Sequence, residues 1–412
     1  MEGTVDFSIA VRPNDLDAVP GIVKGIVDKA NALSPGDETA RHALLIQARS
    51  LVQALETPRE TMTKHTWAQL GVDTGLVTGV DAGLWILMAK NGDGPQNVAD
   101  LAETLSFDPV LLGRLMRHLA AMGYLIETDV DQYKLTNFTR SMALPQISGG
   151  YTTLLGEIGA SALEFHKWAR KNNWRNPTDP KDGALKEAYG TDQDVFQYLH
   201  SVGCLQQVNN HMRGYRQGRT PWMDPSIYPV QEKLILGAEA GSDAPFLVDI
   251  AGGLGHDLTE FKKRFPNHPG KIYLEDLPAV IGDIQDLDVT IERLCHDFHT
   301  EQPIKGARAY FMHSIMHDWP DHVCKSILTP VVEAMKPGYS KLLINDVVIP
   351  SKGAHWENTA GDMLMMTQLS ALERTEAQWY QLIEGSGLGL KIVKIWLCGL
   401  PGVEGLIECE RV

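Results

Sequence analysis

No two of the five cysteines (Cys204, Cys295, Cys324, Cys398, Cys409) form a CxxC pair, and none has a neighbour at metal-ligand spacing. An odd, scattered set argues against a disulfide framework and for free thiols in a reducing compartment. Positive charge is also short: 37 Lys and Arg against 52 Asp and Glu leave a formal net charge of −15. That balance excludes a chain built to grip nucleic-acid phosphates or an anionic membrane surface. No run approaches the roughly 18 apolar residues of a membrane span. The opening "MEGTVDFSIAVRPNDLD" has neither a basic start nor an apolar core, so it does not read as a secretory signal. The expectation is a cytoplasmic protein. With 412 residues, 43% of them hydrophobic, the chain is long enough for two domains and at least one large core.

"ETARHALLIQARSLVQALETP" reads as an amphipathic helix ended by Pro58, either a dimer element or a helix packed on its own chain. From Trp67 a helical pattern runs on through "DTGLVTGVDAGLWILMAK". A helix over Asn97–Leu105, a turn at "SFDP", a helix over Val110–Met122, a Gly123 stop and two short strands, "YLIET" and "QYKLT", spell a winged helix-turn-helix. Between Pro95 and Pro145 this module carries four basic residues (Arg114, Arg117, Lys134, Arg140) and six acidic ones (Asp100, Glu103, Asp108, Glu127, Asp129, Asp131). A groove reader should be net positive. The module is expected to be structural or dimerising, without nucleic acid. Residues 151–230 look mainly helical. There Trp168 and Trp174, with Met212, are either ordinary packing or the wall of an aromatic ligand site.

From Phe246 apolar strands alternate with helix-length segments, which predicts a parallel, doubly wound sheet. "LVDIAGGLGHDL" places Asp249, Gly252, Gly253 and Gly255 between a strand and a helix, and the next strand ends in Glu275-Asp276. A glycine turn followed by an acidic strand end suits an adenosine-containing ligand, the acid accepting from ribose hydroxyls. Nicotinamide cofactors bring a pyrophosphate, and Asp257 at the helix start would repel one. S-adenosylmethionine has the adenosine, an ammonium and no phosphate. Later comes "FMHSIMHDWPDHVCKSIL", where His317, Asp318 and Asp321 follow a buried strand; they are either a strand end with a helix cap or a general base.

"LVDIAGGLGHDL", "LEDLPAVI", "HDFHTEQP", "FMHSIMHDWPD", "LLINDVVIP" and "LERTEAQW" stand in the order found in class I S-adenosylmethionine-dependent small-molecule O-methyltransferases. The chain resembles the plant caffeate and flavonoid enzymes, and "PWMDPSIYPVQEKLI" looks like the fungal secondary-metabolite branch. The resemblance covers most of the chain, because the winged-helix half belongs to the same family. It implies a Rossmann-like doubly wound sheet (231–412) that binds cofactor and carries catalysis. Before it would come a helical, winged-helix dimerisation domain (1–150) and a helical linker forming a pocket wall (151–230). It implies that Asp249 and Gly253 line the methionine end, that Asp276 holds the ribose, and that Gly252, Gly255 and Leu277 also bind the cofactor. Asp297 and Phe298 would address the adenine, and His313 would also touch the cofactor. His317 would be the base, flanked by Asp346 and Glu373, in a homodimer acting on a small hydroxylated metabolite, with no metal. Three positions depart from the pattern: Ala251 replaces the first loop glycine, His313 a lysine, and Asp346 a glutamate one methylene longer.

The chemistry accounts for the residue types. In-line methyl transfer is mainly positioning. A phenol with pKa of about 10 needs deprotonation, and a histidine near 6.5 is the natural acceptor of that proton. A carboxylate on the far ring nitrogen fixes the tautomer. Three other readings stay open: a fungal relative that keeps the cofactor but dehydrates or cyclises its substrate, a winged-helix regulator that senses the cofactor, and a nicotinamide dehydrogenase.

Overall fold

The computed structural model describes residues 5–397 and 404–412 except Gln217, Ala240 and Ser242; Cys398 and the first four residues of the N-terminal stretch lie outside the described residues. The chain divides into two compact units, 1–152 and 153–412, so the helical stretch after 152 belongs with the sheet.

The first unit opens with helices α1 (Val19–Asn31), α2 (Glu38–Leu55), α3 (Pro58–Thr63), α4 (Gln69–Asp81) and α5 (Leu84–Asn91). The helical pattern after Trp67 is thus broken rather than continuous: Gly83 adopts φ 71 and separates α4 from α5. Strand β1 (Gln96–Asn97), α6 (Val98–Leu105), α7 (Pro109–Ala121), β2 (Leu125–Asp129) and β3 (Gln132–Leu135) follow, then α8 (Asn137–Ser141) and α9 (Pro145–Gly150). Asn97 and Asp108 cap α6 and α7 by accepting backbone N–H groups. The three strands form one antiparallel sheet in the order β1-β3-β2, the wing of the motif. Its core gathers Val72, Leu76, Trp85, Met88, Leu101, Leu112, Met116 and Tyr133. By contrast α1 buries no residue and α2 only Ala54, while Val23, Val27, Ile46, Val52 and Leu55 stay exposed.

In the second unit α10 (Ala160–Lys171), α11 (Ala184–Tyr189), α12 (Val195–Ser201) and α13 (Leu205–Arg216) precede the sheet. Strand β4 (Pro245–Ile250), α14 (His256–Arg264), β5 (Lys271–Asp276), α15 (Pro278–Gly282), β6 (Ile291–Cys295), β7 (Ala309–His313), α16 (Asp321–Ala334) and β8 (Lys341–Asp346) come next. They are followed by β9 (Val348–Ile349), α17 (Trp356–Leu364), β10 (Arg374–Thr375), α18 (Glu376–Ile383), β11 (Leu390–Leu397) and β12 (Gly405–Arg411). The seven-stranded sheet runs β11-β12-β8-β7-β4-β5-β6. Its β6-to-β8 part is parallel as expected, but β12 runs antiparallel to both of its neighbours, β8 and β11, so the sheet is mixed. A hairpin at the edge needs no crossover helix, and the β/α alternation therefore carries no sign of it. The central strands are apolar on both faces because both are covered. One face packs on α16 and α18 through Ile327, Val331, Trp379 and Leu382. The other meets Trp222, Tyr228, Leu258 and Phe261, and the Trp222 ring stacks 4.8 Å from that of Phe311. Strands β4, β5, β7 and β8 end at one rim, where the loops with the chemistry-bearing residues lie.

Glycines 71, 75 and 79 recur every four residues along α4, and a Cβ on each would meet His118, Leu119 and Trp85 respectively. At Gly79 the added atom would lie 2.5 Å from the Trp85 ring. Overpacking costs about 1–3 kcal/mol, against up to about 1 kcal/mol gained in helix propensity. Gly79→Ala should therefore destabilise the protein by about 1–2 kcal/mol, read as a lower urea midpoint at unchanged slope. Gly21→Ala in α1, where nothing stands within 4 Å, should not.

Candidate functional site

At the end of β4 the chain turns through Ala251 (φ 56), Gly253 (φ 60) and Gly255 (φ 79) into α14. Ala251 thus holds a left-handed conformation that suits glycine better. A Cβ at Gly252 would fall 2.5 Å from Asp249 Cγ, and one at Gly255 would fall 2.8 Å from Leu287. At Gly253 a Cβ would meet nothing, so that backbone faces open space. Its N–H donates to Asp276 Oδ2 at 2.8 Å, while Leu277 N–H donates to Asp276 Oδ1 at 2.7 Å. Burial pushes Asp276 up, and these two donors pull it back. The strand end is thereby locked to the glycine loop, and Leu277 is half exposed beside it.

The polar groups around this loop are mainly acids. Asp249 is fully buried, and Asp257 lies in the first turn of α14. Asp257 Oδ2 is 2.9 Å from His313 Nδ1, and Glu404 Oε2 is 3.0 Å from His313 Nε2. Both nitrogens of His313 therefore engage carboxylates, and the ring ties the end of β7 to α14 and to the start of β12. Arg219 approaches Glu404 at 3.6 Å and Glu357 at 3.2 Å and stands 4.0 Å over the Tyr215 ring. An acid-lined loop whose glycine backbone is open suits a ligand bearing an ammonium or sulfonium and disfavours a pyrophosphate.

His317 sits in a 3₁₀ turn, Met316–Asp318, just past β7, with Ser314 at φ 55 bending the chain. Its Nδ1 lies 2.8 Å from Glu373 Oε1. In the neutral ring that makes Nδ1 the protonated nitrogen and leaves Nε2 as the basic one. Asp318 Oδ1 is 3.4 Å from Nε2. Asp346 is fully buried, but its Oδ1 is 3.8 Å from Nδ1, beyond hydrogen-bond reach. Its other oxygen accepts the Met316 N–H at 3.2 Å, so Asp346 holds the turn and adds charge rather than gripping the ring. Burial lifts Asp318 to about 6 and Asp346 to about 7. For His317 burial pulls downward; Asp318, Asp346 and Glu373 together outweigh it and hold the imidazolium well above the ordinary 6.5.

Two residues that support this arrangement, one gripping the turn and one holding Glu373, escaped the sequence reading. Arg374, 1% exposed, donates to the carbonyls of Met316 (2.8 Å) and Trp319 (2.9 Å) and pairs with Asp321 at 2.7 Å. Asp362 accepts the Glu373 N–H at 3.0 Å. Arg374 stood in view within "LERTE", but only the fold shows that it grips a loop more than fifty positions earlier.

Of the expected aromatic wall, Trp168 is packing. Its indole N–H donates to the Asp182 carbonyl at 2.9 Å and its ring stacks on Phe165 at 5.7 Å. Trp174 is 71% exposed, with φ 60 after the end of α10. Among the described residues, neither ring makes a contact with the rings about the His317 turn. The rings beside the 3₁₀ turn are instead Trp319 with Phe298 (6.4 Å), His299 (5.7 Å) and Phe196 (5.9 Å). Met212 lies on α13 one turn before Tyr215, hence on the same helix face. Burial, then the charge of Glu404, pushes Tyr215 up to about 12, with Arg219 opposing and Glu373 adding to the rise. Asp297 accepts the His299 N–H at 2.9 Å and so closes the turn that carries Phe298.

Residues 191–389 match the family model described as O-methyltransferase domain. The chain is 35% identical to "O-methyltransferase mfmE" of Annulohypoxylon moriforme over 385 residues, 93% of this chain and 94% of that one. Among solved structures it is similar to "A Pericyclic Reaction enzyme", with 29% identity and a TM-score of 0.84 over 96% of this chain and 100% of that one. It is also similar to OxaC in complex with SAH and oxaline, with 27% identity and a TM-score of 0.85 over 96% of this chain and 99% of that one.

The electrostatics of His317 are directly measurable. By NMR its ring should titrate above 6.5, and Glu373→Gln, which deletes one attracting charge, should lower the midpoint. Because the folded value is raised, this group's contribution to stability is fully present below about 6.5 and fades as pH rises through the folded pKa. A midpoint at or below 6.5, or one unmoved by Glu373→Gln, would contradict the reading.

Proposed function

The chain belongs to the O-methyltransferase family, and from that membership we propose that it methylates a hydroxyl of a small aromatic or polyketide-type secondary metabolite, with His317 as general base. The observation that carries this is the His317–Glu373 hydrogen bond of 2.8 Å at the rim where the glycine loop lies. S-adenosylmethionine supplies an electrophilic methyl on a sulfonium. Asp249 and the Gly252–Gly255 turn would take its methionine end, Asp276 and Leu277 the ribose, and Asp297 with Phe298 the adenine. The acids about His313 suit its positive charges.

The residues of the chain do the rest by holding and by proton transfer. Glu373 fixes Nδ1–H, so in the neutral form of the ring Nε2 is the nitrogen that accepts the hydroxyl proton. The resulting imidazolium is stabilised by Asp318, Asp346 and Glu373, the same charges that raise its pKa. Arg374 keeps the turn from shifting by pinning two of its carbonyls. Burial of Asp346, Glu373 and Arg374 keeps water from loosening these contacts. The rings of Trp319 and Phe196 offer an apolar surface for a planar substrate, and Met212 on α13 would extend it.

A second reading keeps the cofactor site and changes the reaction to dehydration or pericyclic closure. It is favoured by the full-length likeness to a pericyclic reaction enzyme. Product mass separates the two. Incubation with S-adenosylmethionine and a panel of phenolic polyketides should give products heavier by one methyl, and His317→Ala should slow this by about 10²–10⁴-fold. Loss of water, or isomerisation without mass change, would favour the second reading. Undiminished methylation by His317→Ala would remove that residue from the mechanism.

The chain is proposed to act as a homodimer through α1 and α2, whose apolar residues find so little cover within their own unit. Light scattering at micromolar concentration should give twice the 45.5 kDa chain mass; a particle of 45.5 kDa alone would end the proposal.

A further inference from the structure

Strand alternation sends the side chains of Glu275 and Asp276 to opposite faces of β5. Asp276 turns to the glycine loop, where it takes the Gly253 N–H. Glu275 turns inward and is fully buried, an unusual place for a carboxylate. Its Oε2 accepts from His296 Nδ1 at 2.9 Å and from Gln302 Nε2 at 2.9 Å, and Gln302 is fully buried too. The His296 backbone N–H donates to the Asp276 carbonyl at 2.9 Å. Gln302 Oε1 accepts the Ile304 N–H at 2.9 Å. The segment from His296 to Ile304 is thus bracketed at both ends by one buried acid. Inside the bracket lie Asp297 and Phe298, and Phe298 reaches Trp319, two residues beyond His317.

We propose that Glu275, His296 and Gln302 form a buried clasp that positions Asp297 and Phe298 as the adenine wall, so that cofactor affinity depends on residues that do not touch the cofactor. The proposal rests on the S-adenosylmethionine reading above. A stability role alone explains the trio poorly. Glu275 Oε1 and His296 Nε2 are buried without a hydrogen-bond partner, and apolar side chains of similar volume would avoid that penalty. What a polar trio adds over an apolar one is direction: each bond fixes where its segment leaves β5. The adjacent acids divide the work, since Asp276 secures the loop before the site and Glu275 the loop after it. These are positioning residues.

The test is calorimetric binding of S-adenosylhomocysteine together with steady-state kinetics in which S-adenosylmethionine is varied. Glu275→Met, which removes the acceptor of both the His296 and the Gln302 hydrogen bonds, should raise the dissociation constant and the cofactor KM by about tenfold or more. Its kcat at saturating cofactor should stay within about twofold of wild type, because the base site is untouched. Glu275→Gln keeps an acceptor for both donors and should bind within about threefold of wild type. Should Glu275→Met fail to fold, Gln302→Met, which cuts only the far end of the bracket, should show the same split between KM and kcat. Variants that bind S-adenosylhomocysteine as wild type does, or that lose kcat with KM unchanged, would overturn the clasp while leaving the cofactor reading intact. A wild type that binds no S-adenosylhomocysteine would overturn both.

Discussion

One contact, His317 Nδ1 to Glu373 Oε1 at 2.8 Å, orders the whole rim of the sheet. It joins a residue just past β7 to one at the threshold of β10, and it decides which ring nitrogen carries the proton. The next residue, Arg374, completes the hold from the first position of β10. Its guanidinium takes the carbonyls of Met316 and Trp319 and the carboxylate of Asp321. Two consecutive residues thus govern ring and loop together. Such an arrangement breaks badly if cut on one side, since removing one partner of a buried ionic contact costs about 3–5 kcal/mol. The parallel pairing of β10 with β9 gives these two residues their aim.

The charge pattern around the base and the charge pattern around the glycine loop are one design. Asp318, Asp346 and Glu373 favour positive charge on His317, while Asp257 and Glu404 clasp His313. A site so rich in carboxylates would be hostile to phosphates and hospitable to an ammonium or a sulfonium. The donor set itself therefore discriminates between classes of adenosine cofactor, where a glycine turn alone would not. Phe298, edge-on to Trp319, carries the connection from the β6 side of the sheet to the base-bearing turn.

Aspartate in place of glutamate at 346 has a visible consequence. One methylene shorter, its carboxylate stops 3.8 Å from the ring and instead takes the Met316 backbone N–H. The ring is left with a single hydrogen-bonded carboxylate, and the second acts through charge. Ala251 shows the opposite case: the backbone keeps the left-handed turn although the glycine that would suit it is missing, because the surrounding strand and helix fix the path.

Much of this was legible in the chain itself. Alternation of apolar strands with helix-length segments, the two short helices and paired strands of the winged module, and the glycine loop with its acidic strand end are local patterns. They follow from backbone propensity and periodicity, so residues close in sequence suffice to state them. The grouping of His317 with Glu373 was inferred from ordered motifs and not from any spacing. What only the tertiary structure decided were contacts across long separations and matters of an ångström. These include Arg374 reaching the turn, His313 held between Asp257 and Glu404, Trp168 absorbed into packing, Trp174 left in solvent, and Glu275 turned inward to His296. None of these has a local signature, because which side chains meet depends on strand order, on the face each residue takes and on how closely two backbones approach.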